Sequence, residues 1–392
     1  MVLEQLIRRS ELADFYDKVA EGRRISDDDC LRLYRSRDLN ALGVIANVVH
    51  ERKNGNHAYY ILNRYLNYSN ICALGCQFCN YGKPAGDPAA FELTIDEMVA
   101  RVAADLRLGI TEIHIVGGLH PSLPFSYYTD LIRALKKLDT NLHVKALTAV
   151  EIYHLAALTK RTMPDVLGAL RDAGLDSITG GGAEIFSQSV RDIFCPGKET
   201  AEQWLDCHRT WHRMGMRSTA TMLYGHIETL EERVDHLRRL RELQEETRGF
   251  TTLVPLHFVP DNTRLSHLPP ASGFDDLRNL AIARIYLDNF DHITGYWIAL
   301  GRKLAQVSLS FGVDDLHGTI QEEKIFHMAG AKTPQQQTRE ELEHATIEAG
   351  RVPVQRDSVF RPLKIGPTGN GKPFDPTISP SSPILLGNQT TA

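Results

Sequence analysis

The order of apolar and polar positions divides the 392-residue chain into a helical start, a long alternating middle and a polar end. Leu3, Leu6 and Ile7 recur at helical spacing. Ser26 opens a second helical segment through Leu31, Leu33 and Tyr34, and a third runs from 39 to 50 with Leu42, Val44, Ile45 and Val48 on its apolar side. From residue 61 short β-branched runs alternate with amphipathic segments. Strands are predicted at 61–67, 111–116, 143–147, 175–178, 218–223, 250–258 and 293–299, and a last cycle covers 303–318. Between them lie helices at 94–108, 125–138, 164–173, 200–214, 229–246 and 275–289, with one more at 338–349. Three of these open on capping boxes, Thr94 with Glu97, Thr229 with Glu232 and Thr338 with Glu341.

Such alternation implies a parallel sheet with right-handed crossovers, and about eight strands suit a closed or nearly closed (β/α)8 TIM-type barrel of the α/β class. The expected layout is an N-terminal helical extension over 1–60, the barrel over 61–330, a C-terminal helical segment over 331–361 and a Pro/Gly-rich tail over 362–392. The tail reads as linker rather than as a packed element.

Composition narrows the function. With 42% hydrophobic residues the chain can bury a large core, and a net charge of −5 gives no reason to expect nucleic acid or an anionic membrane. No apolar run approaches the roughly 20 residues of a membrane span. The opening MVLEQLIRRSELADF mixes acids and bases early, unlike a secretory leader, so the expected location is cytoplasmic.

Half of the six cysteines fall in one short stretch, Cys72-Ala73-Leu74-Gly75-Cys76-Gln77-Phe78-Cys79. Thiolates ligate iron–sulfur clusters, and a cubane normally takes four, so three imply a cluster with one iron open to something other than a side chain. A Cys3His zinc site with His57 or His120 as fourth ligand, or a set of inert thiols, are the other readings of the spacing. Cys30 reads as a buried small hydrophobe, and Cys195, at a helix end, and Cys207, within an amphipathic helix, are not expected to be metal ligands.

In a barrel the active site lies at the C-terminal mouth, built from the loops that follow each strand. That rule selects the cysteine stretch, then Gly117 to Pro121, Thr148 to Glu151, Gly180 to Glu184, Tyr224 to Glu228 and His257 to Thr263. Gly117 and Gly118 permit close backbone approach to a ligand or simply end a strand. Glu151 and Glu184 could equally be acids at helix N-termini. His226 and His257 could be satisfied structural residues.

The cysteine spacing with Phe78 before the last thiol, the run His114-Ile115-Val116-Gly117-Gly118-Leu119-His120-Pro121 and Gly180 to Glu184 resemble the radical S-adenosylmethionine (SAM) superfamily, in its futalosine-pathway and deazaflavin-pathway branch. Thr148 to Ile152, Thr219 to Glu228 and Gly318 to Ile325 are similar to the aminofutalosine synthases of menaquinone biosynthesis. The resemblance implies a [4Fe-4S] cluster on Cys72, Cys76 and Cys79, with SAM chelating the open iron. It implies that Gly117 and Gly118 meet the methionyl amino group, that Glu151 and Glu184 partner the ribose hydroxyls or the ammonium, and that Phe78 packs near the adenine. The implied reaction adds the 5′-deoxyadenosyl radical to the vinyl carbon of 3-[(1-carboxyvinyl)oxy]benzoate, with aryl migration and decarboxylation, to give 6-amino-6-deoxyfutalosine.

A substrate with two carboxylates wants cations and hydrogen-bond donors, for which His226, His257 and Arg264, with Thr221 and Asn262, are the candidates. A reductant such as flavodoxin or ferredoxin is the implied protein partner. Two alternatives remain beside this reading. One is the related cyclic dehypoxanthine futalosine synthase, and the other is a non-catalytic iron–sulfur electron carrier.

Overall fold

The computed structural model describes residues 7–367, so Leu3, Leu6 and most of the Pro/Gly-rich tail lie outside the described residues. Eleven strands are present among them: β1 (His57–Ile61), β2 (Asn63–Leu66), β3 (Glu112–Ile115), β4 (His143–Ala146), β5 (Ser177–Ile178), β6 (Arg217–Tyr224), β7 (Phe250–His257), β8 (His292–Ile293), β9 (Asp315–Gly318), β10 (Val352–Arg356) and β11 (Pro362–Ile365).

Strands β2 to β8 form one seven-stranded parallel sheet in chain order, with the crossover helices outside. The sheet curls, and β9 stands between its edges. A bridge joins Thr294 to Asp315 on one side, and another joins Arg64 to Gln321 on the other. The expected barrel is therefore a seven-stranded curled sheet whose eighth position is filled by a strand of a second sheet.

That second sheet, in the order β11-β10-β1-β9, differs from the expected layout. Divisions at 60, 330 and 361 cut through it, because β1, β9, β10 and β11 come from all four expected segments. Pro362–Ile365, expected as tail, is an edge strand antiparallel to β10. The predicted strand at 293–299 is two residues of strand followed by a helical turn, Trp297–Leu300, because the chain must turn before the helix Arg302–Ser308. A helix not predicted, Ala149–Thr159, opens on a capping box of Thr148 and Glu151.

The helical N-terminus walls one flank of the barrel. Tyr34 donates to Asn279 Oδ1 at 2.7 Å and His50 Nδ1 pairs with Val313 O at 3.0 Å, both buried. Strand alternation then sorts the barrel residues. Ala220, Met222 and Leu253 are fully buried toward the helices. Thr219, Thr221, Thr252 and Val254 line the lumen.

Candidate active site

The three clustered cysteines occupy the loop after β2, and backbone bonds to four other segments hold that loop. Cys72 N donates to Lys83 O (2.9 Å), Ala73 N to Leu119 O (2.9 Å) and Gln77 N to Phe194 O (2.9 Å), while Arg264 N donates to Gln77 O (3.1 Å). All six cysteines are free, and these three are half-buried, whereas Cys30, Cys195 and Cys207 are buried. Burial pushes the Cys76 thiol up to about 12, and raises Cys79 although the Gly82 amide donates to its sulfur at 3.4 Å. A positive metal centre is what would bring such thiols to thiolates. Neither expected zinc partner reaches them. His57 begins β1, at the far end from the mouth. His120 Nδ1 accepts from the Ser122 and Leu123 amides (3.2 and 3.0 Å), and its Nε2 lies 2.8 Å from Glu92.

Below the loop is a cavity of about 270 Å³, lined by Cys72, Cys76 and Cys79, by Phe78, Gly117, Gly118, Glu151, Glu184 and Thr221, and by cations deeper in the barrel. A smaller apolar pocket of about 90 Å³ shares Phe78, Cys79, Leu256, Ile325 and Phe326 with it. The glycines at the mouth are required by protein contacts. A Cβ on Gly117 would stand 2.5 Å from the Tyr68 ring, and one on Gly118 would stand 2.3 Å from the Ile71 carbonyl oxygen and 3.0 Å from Cys72 Cβ.

Glu151 ties these parts together. Its carboxylate accepts from Thr148 N (2.7 Å), Thr148 Oγ1 (2.8 Å), Tyr68 OH (2.8 Å) and Gly117 N (3.1 Å). It lines the cavity, but with four donors already it positions the Gly117 turn. Burial raises its pKa, against the pull of those donors. Glu184, in the left-handed region at φ 43°, pairs with Lys198, whose ammonium lies 5.6 Å over the Phe78 ring. Phe78 itself stacks on Phe194 at 4.7 Å.

Of the residues expected to bind substrate, only Thr221 lines the cavity, with its hydroxyl donating to Gly180 O at 2.6 Å. The other four, His226, His257, Asn262 and Arg264, do not line it. His257 alternates with the lumen residue Leu256, so it points outward and pairs with Asp276 at 3.3 Å. The His226 ring stacks on Phe194 at 4.0 Å, and its Nε2 donates to Leu223 O at 3.0 Å. Asn262 donates to Met328 O at 3.2 Å on the surface, and the exposed Arg264 guanidinium lies 3.5 Å from Gly75 O, on the outside of the cysteine loop.

The cations that do line the cavity are Lys145, Lys198 and Arg356, together with His114 and His317. Each of the three permanent cations has an acidic partner: Lys145 with Glu112 at 2.8 Å, Lys198 with Glu184, and Arg356 with Asp315 at 2.6 Å. The signal for them was a charged or imidazole side chain inside an otherwise apolar strand, as in Glu112-Ile113-His114-Ile115 and His143-Val144-Lys145-Ala146.

Residues 66–240 match the model of the radical SAM superfamily, and residues 247–367 match that of the CofH/MqnC C-terminal region. The chain is 48% identical over 363 residues to aminodeoxyfutalosine synthase of Thermus thermophilus, covering 92% of this chain and 98% of that protein. The chain belongs to the radical SAM superfamily. It is a radical SAM enzyme, and a [4Fe-4S] cluster and SAM are the cofactors of that superfamily. A three-thiol loop at the edge of a largely apolar cavity that also carries Glu151, Glu184 and Lys198 fits that pair. Cyclic dehypoxanthine futalosine synthase of Streptomyces coelicolor is 36% identical, over 94% of this chain and 93% of that one. The fold is shared with the crystal structure of HydG, a maturase of the [FeFe]-hydrogenase, at a TM-score of 0.71 and 17% identity over 93% of this chain and 81% of that chain. No helix among the described residues of this radical SAM enzyme is long and apolar enough to cross a membrane.

Proposed function

We propose that this radical SAM enzyme is an aminofutalosine synthase. It joins the deoxyadenosyl part of SAM to the vinyl carbon of 3-[(1-carboxyvinyl)oxy]benzoate and, after aryl migration and decarboxylation, releases 6-amino-6-deoxyfutalosine. The observation that carries this reading is the 48% identity across 98% of the Thermus aminodeoxyfutalosine synthase, against 36% for the cyclic dehypoxanthine futalosine synthase. The cluster, when bound, supplies the electron that splits SAM.

The chain's own residues do the rest. Cys72, Cys76 and Cys79 would hold the cluster. Gly117 and Gly118, kept in place by Glu151 and by Gly118 N donating to Ser69 O at 2.8 Å, present backbone to the methionyl end. Glu184 with Lys198, and Phe78, meet the ribose and adenine side. Val254, Leu256, Ile325 and Phe326 line the cavity with apolar surface that excludes water from a reactive primary radical.

The test is anaerobic turnover of the reconstituted enzyme with dithionite, SAM and the aryl ether, with products identified by mass spectrometry beside a Cys76→Ala variant. The expected result is an adduct joining the deoxyadenosyl and benzoate skeletons in the wild type and none in the variant. Formation of 5′-deoxyadenosine without adduct would refute the synthase reading and favour the cyclase substrate.

A further inference from the structure

The interior of a parallel barrel is ordinarily packed with Val, Ile and Leu. Here, well below the mouth, neighbouring strands place Tyr65, His114 and Lys145 side by side. Tyr65 is in register with His114, and His114 with Lys145. His317 on β9 completes the row, edge-on to Tyr65 at 5.9 Å. The Tyr65 and His114 rings stack at 4.2 Å.

This row carries hydrogen-bonding capacity that the protein leaves unspent. The Tyr65 hydroxyl pairs with His317 Nε2 at 3.1 Å. His317 Nδ1 is a buried atom without a hydrogen-bond partner, and with Tyr65 as the donor to Nε2 it carries the imidazole proton. His114 Nδ1 is buried and unpartnered as well. Lys145 gives one of its three N–H groups to Glu112, at 2.8 Å. Glu112 is fixed in turn by Asn63 at 3.3 Å. All four side chains of the row line the cavity.

We propose that this row is a carboxylate-binding subsite at the lumen floor, in which Lys145 and His317 receive the ring carboxylate of an aryl ether substrate. The assignment rests on the synthase reading for the identity of the ligand. The bond-forming vinyl carbon must lie at the cysteine mouth, and the enol carboxylate attached beside it stays there too. The ring carboxylate is the far end. His114 and Lys145 precede Gly117 and Thr148 by three residues each, which at the rise of a strand puts the floor about 10 Å below the mouth. A benzene ring with its substituents spans that depth. Lys145 supplies charge, His317 a directional N–H, and the stacked Tyr65 and His114 pair an aromatic wall.

The experiment compares 3-[(1-carboxyvinyl)oxy]benzoate with the same ether lacking the ring carboxylate, in adduct-forming assays of the reconstituted holoenzyme. The enzymes are wild type, Lys145→Met, the double variant Lys145→Met with Glu112→Gln, and His317→Asn. The double variant avoids stranding a buried carboxylate. Asparagine suits the left-handed backbone of His317, at φ 64°. Iron and sulfide content and SAM binding are measured alongside.

The wild type is expected to favour the carboxylated substrate by about 10- to 100-fold in KM, the worth of one or two charge-assisted hydrogen bonds. The variants are expected to lose most of that ratio while keeping cluster and SAM affinity. A ratio that survives in all three variants overturns the subsite and leaves the synthase reading standing. Absence of adduct from either compound with the wild type refutes the synthase reading, and the subsite with it.

Discussion

Replacing Gly118 by alanine tests whether the strand-end glycines serve the geometry of the cysteine loop. A Cβ there would lie 2.3 Å from the Ile71 carbonyl oxygen, 2.8 Å from its carbon and 3.0 Å from Cys72 Cβ. Relief requires the Ile71 backbone to retreat by about an ångström, since carbon and oxygen in van der Waals contact sit well beyond 3 Å. The segment has little freedom to move. Gly118 N donates to Ser69 O at 2.8 Å, Tyr81 OH donates to the same oxygen at 2.9 Å, and Cys72 N donates to Lys83 O at 2.9 Å. Overpacking of about 1–3 kcal/mol, with one weakened hydrogen bond of about 1 kcal/mol, gives a loss of about 2–4 kcal/mol. A domain of ordinary stability survives that loss.

Geometry suffers more than stability does. An ångström of misplacement at a reacting centre costs on the order of 100-fold in rate. Gly118→Ala is therefore expected to remain folded by circular dichroism, to hold less iron and sulfide after reconstitution, and to form 5′-deoxyadenosine about 100-fold more slowly. Gly168→Ala is the control, because a Cβ at that helical position meets nothing within 4 Å. It should be neutral or slightly stabilising. A Gly118→Ala protein with full iron content and wild-type SAM cleavage would refute the reasoning.

Two further outcomes follow from buried carboxylates. Glu151→Gln keeps the shape but offers one acceptor atom where four donors converge. It is expected to lose about 3 kcal/mol in urea unfolding, with weaker SAM binding, and an unchanged midpoint would count against its positioning role. Burial pushes the Glu228 carboxyl up, but His226, Arg233 and the Gly225 amide outweigh it and hold the pKa at about 2 instead of the ordinary 4.5. Its folded pKa is depressed, so its contribution of about 3 kcal/mol is complete above pH 4.5 and is lost as pH falls toward 2. Glu228→Gln should flatten the acid limb of a stability profile measured by thermal unfolding, and parallel limbs for the two proteins would contradict the assignment.

Two carboxylates of similar sequence context illustrate what the site demands of its acids. Glu151 and Glu184 both follow a strand and both line the cavity, yet they differ in charge balance. Glu151 is held by neutral donors alone, whereas Glu184 is neutralised by Lys198. The mouth therefore carries one carboxylate without a cationic partner, beside Gly117, and one paired with Lys198, whose ammonium lies over Phe78. The first orders the backbone of the Gly117 turn.

Much was determined by the sequence alone. Alternating β-branched runs and capped helices are local signals, so the parallel sheet, most of its strands and the cysteine loop were legible without coordinates. The rule that barrel loops carry the chemistry placed Phe78, Gly117, Gly118, Glu151 and Glu184 on one cavity, where they are found. What the sequence left open were the directions in which side chains point. His257 and Leu256 are neighbours in the chain, but strand alternation sends one outward to Asp276 and the other into the lumen. The His226 ring stacks on Phe194 and Arg264 lies against the Gly75 carbonyl, outside the cavity lining.

Only the tertiary structure decided the lumen floor. Lys145, His114 and His317 come from three strands, β4, β3 and β9. Nothing local says that their side chains share one layer until register and closure bring the strands together. The second sheet is the same case, since β1 meets β10 across nearly three hundred residues. Local periodicity specifies elements, whereas pairing between distant strands is chosen by the packing of the whole chain, and in this protein it also placed the cations.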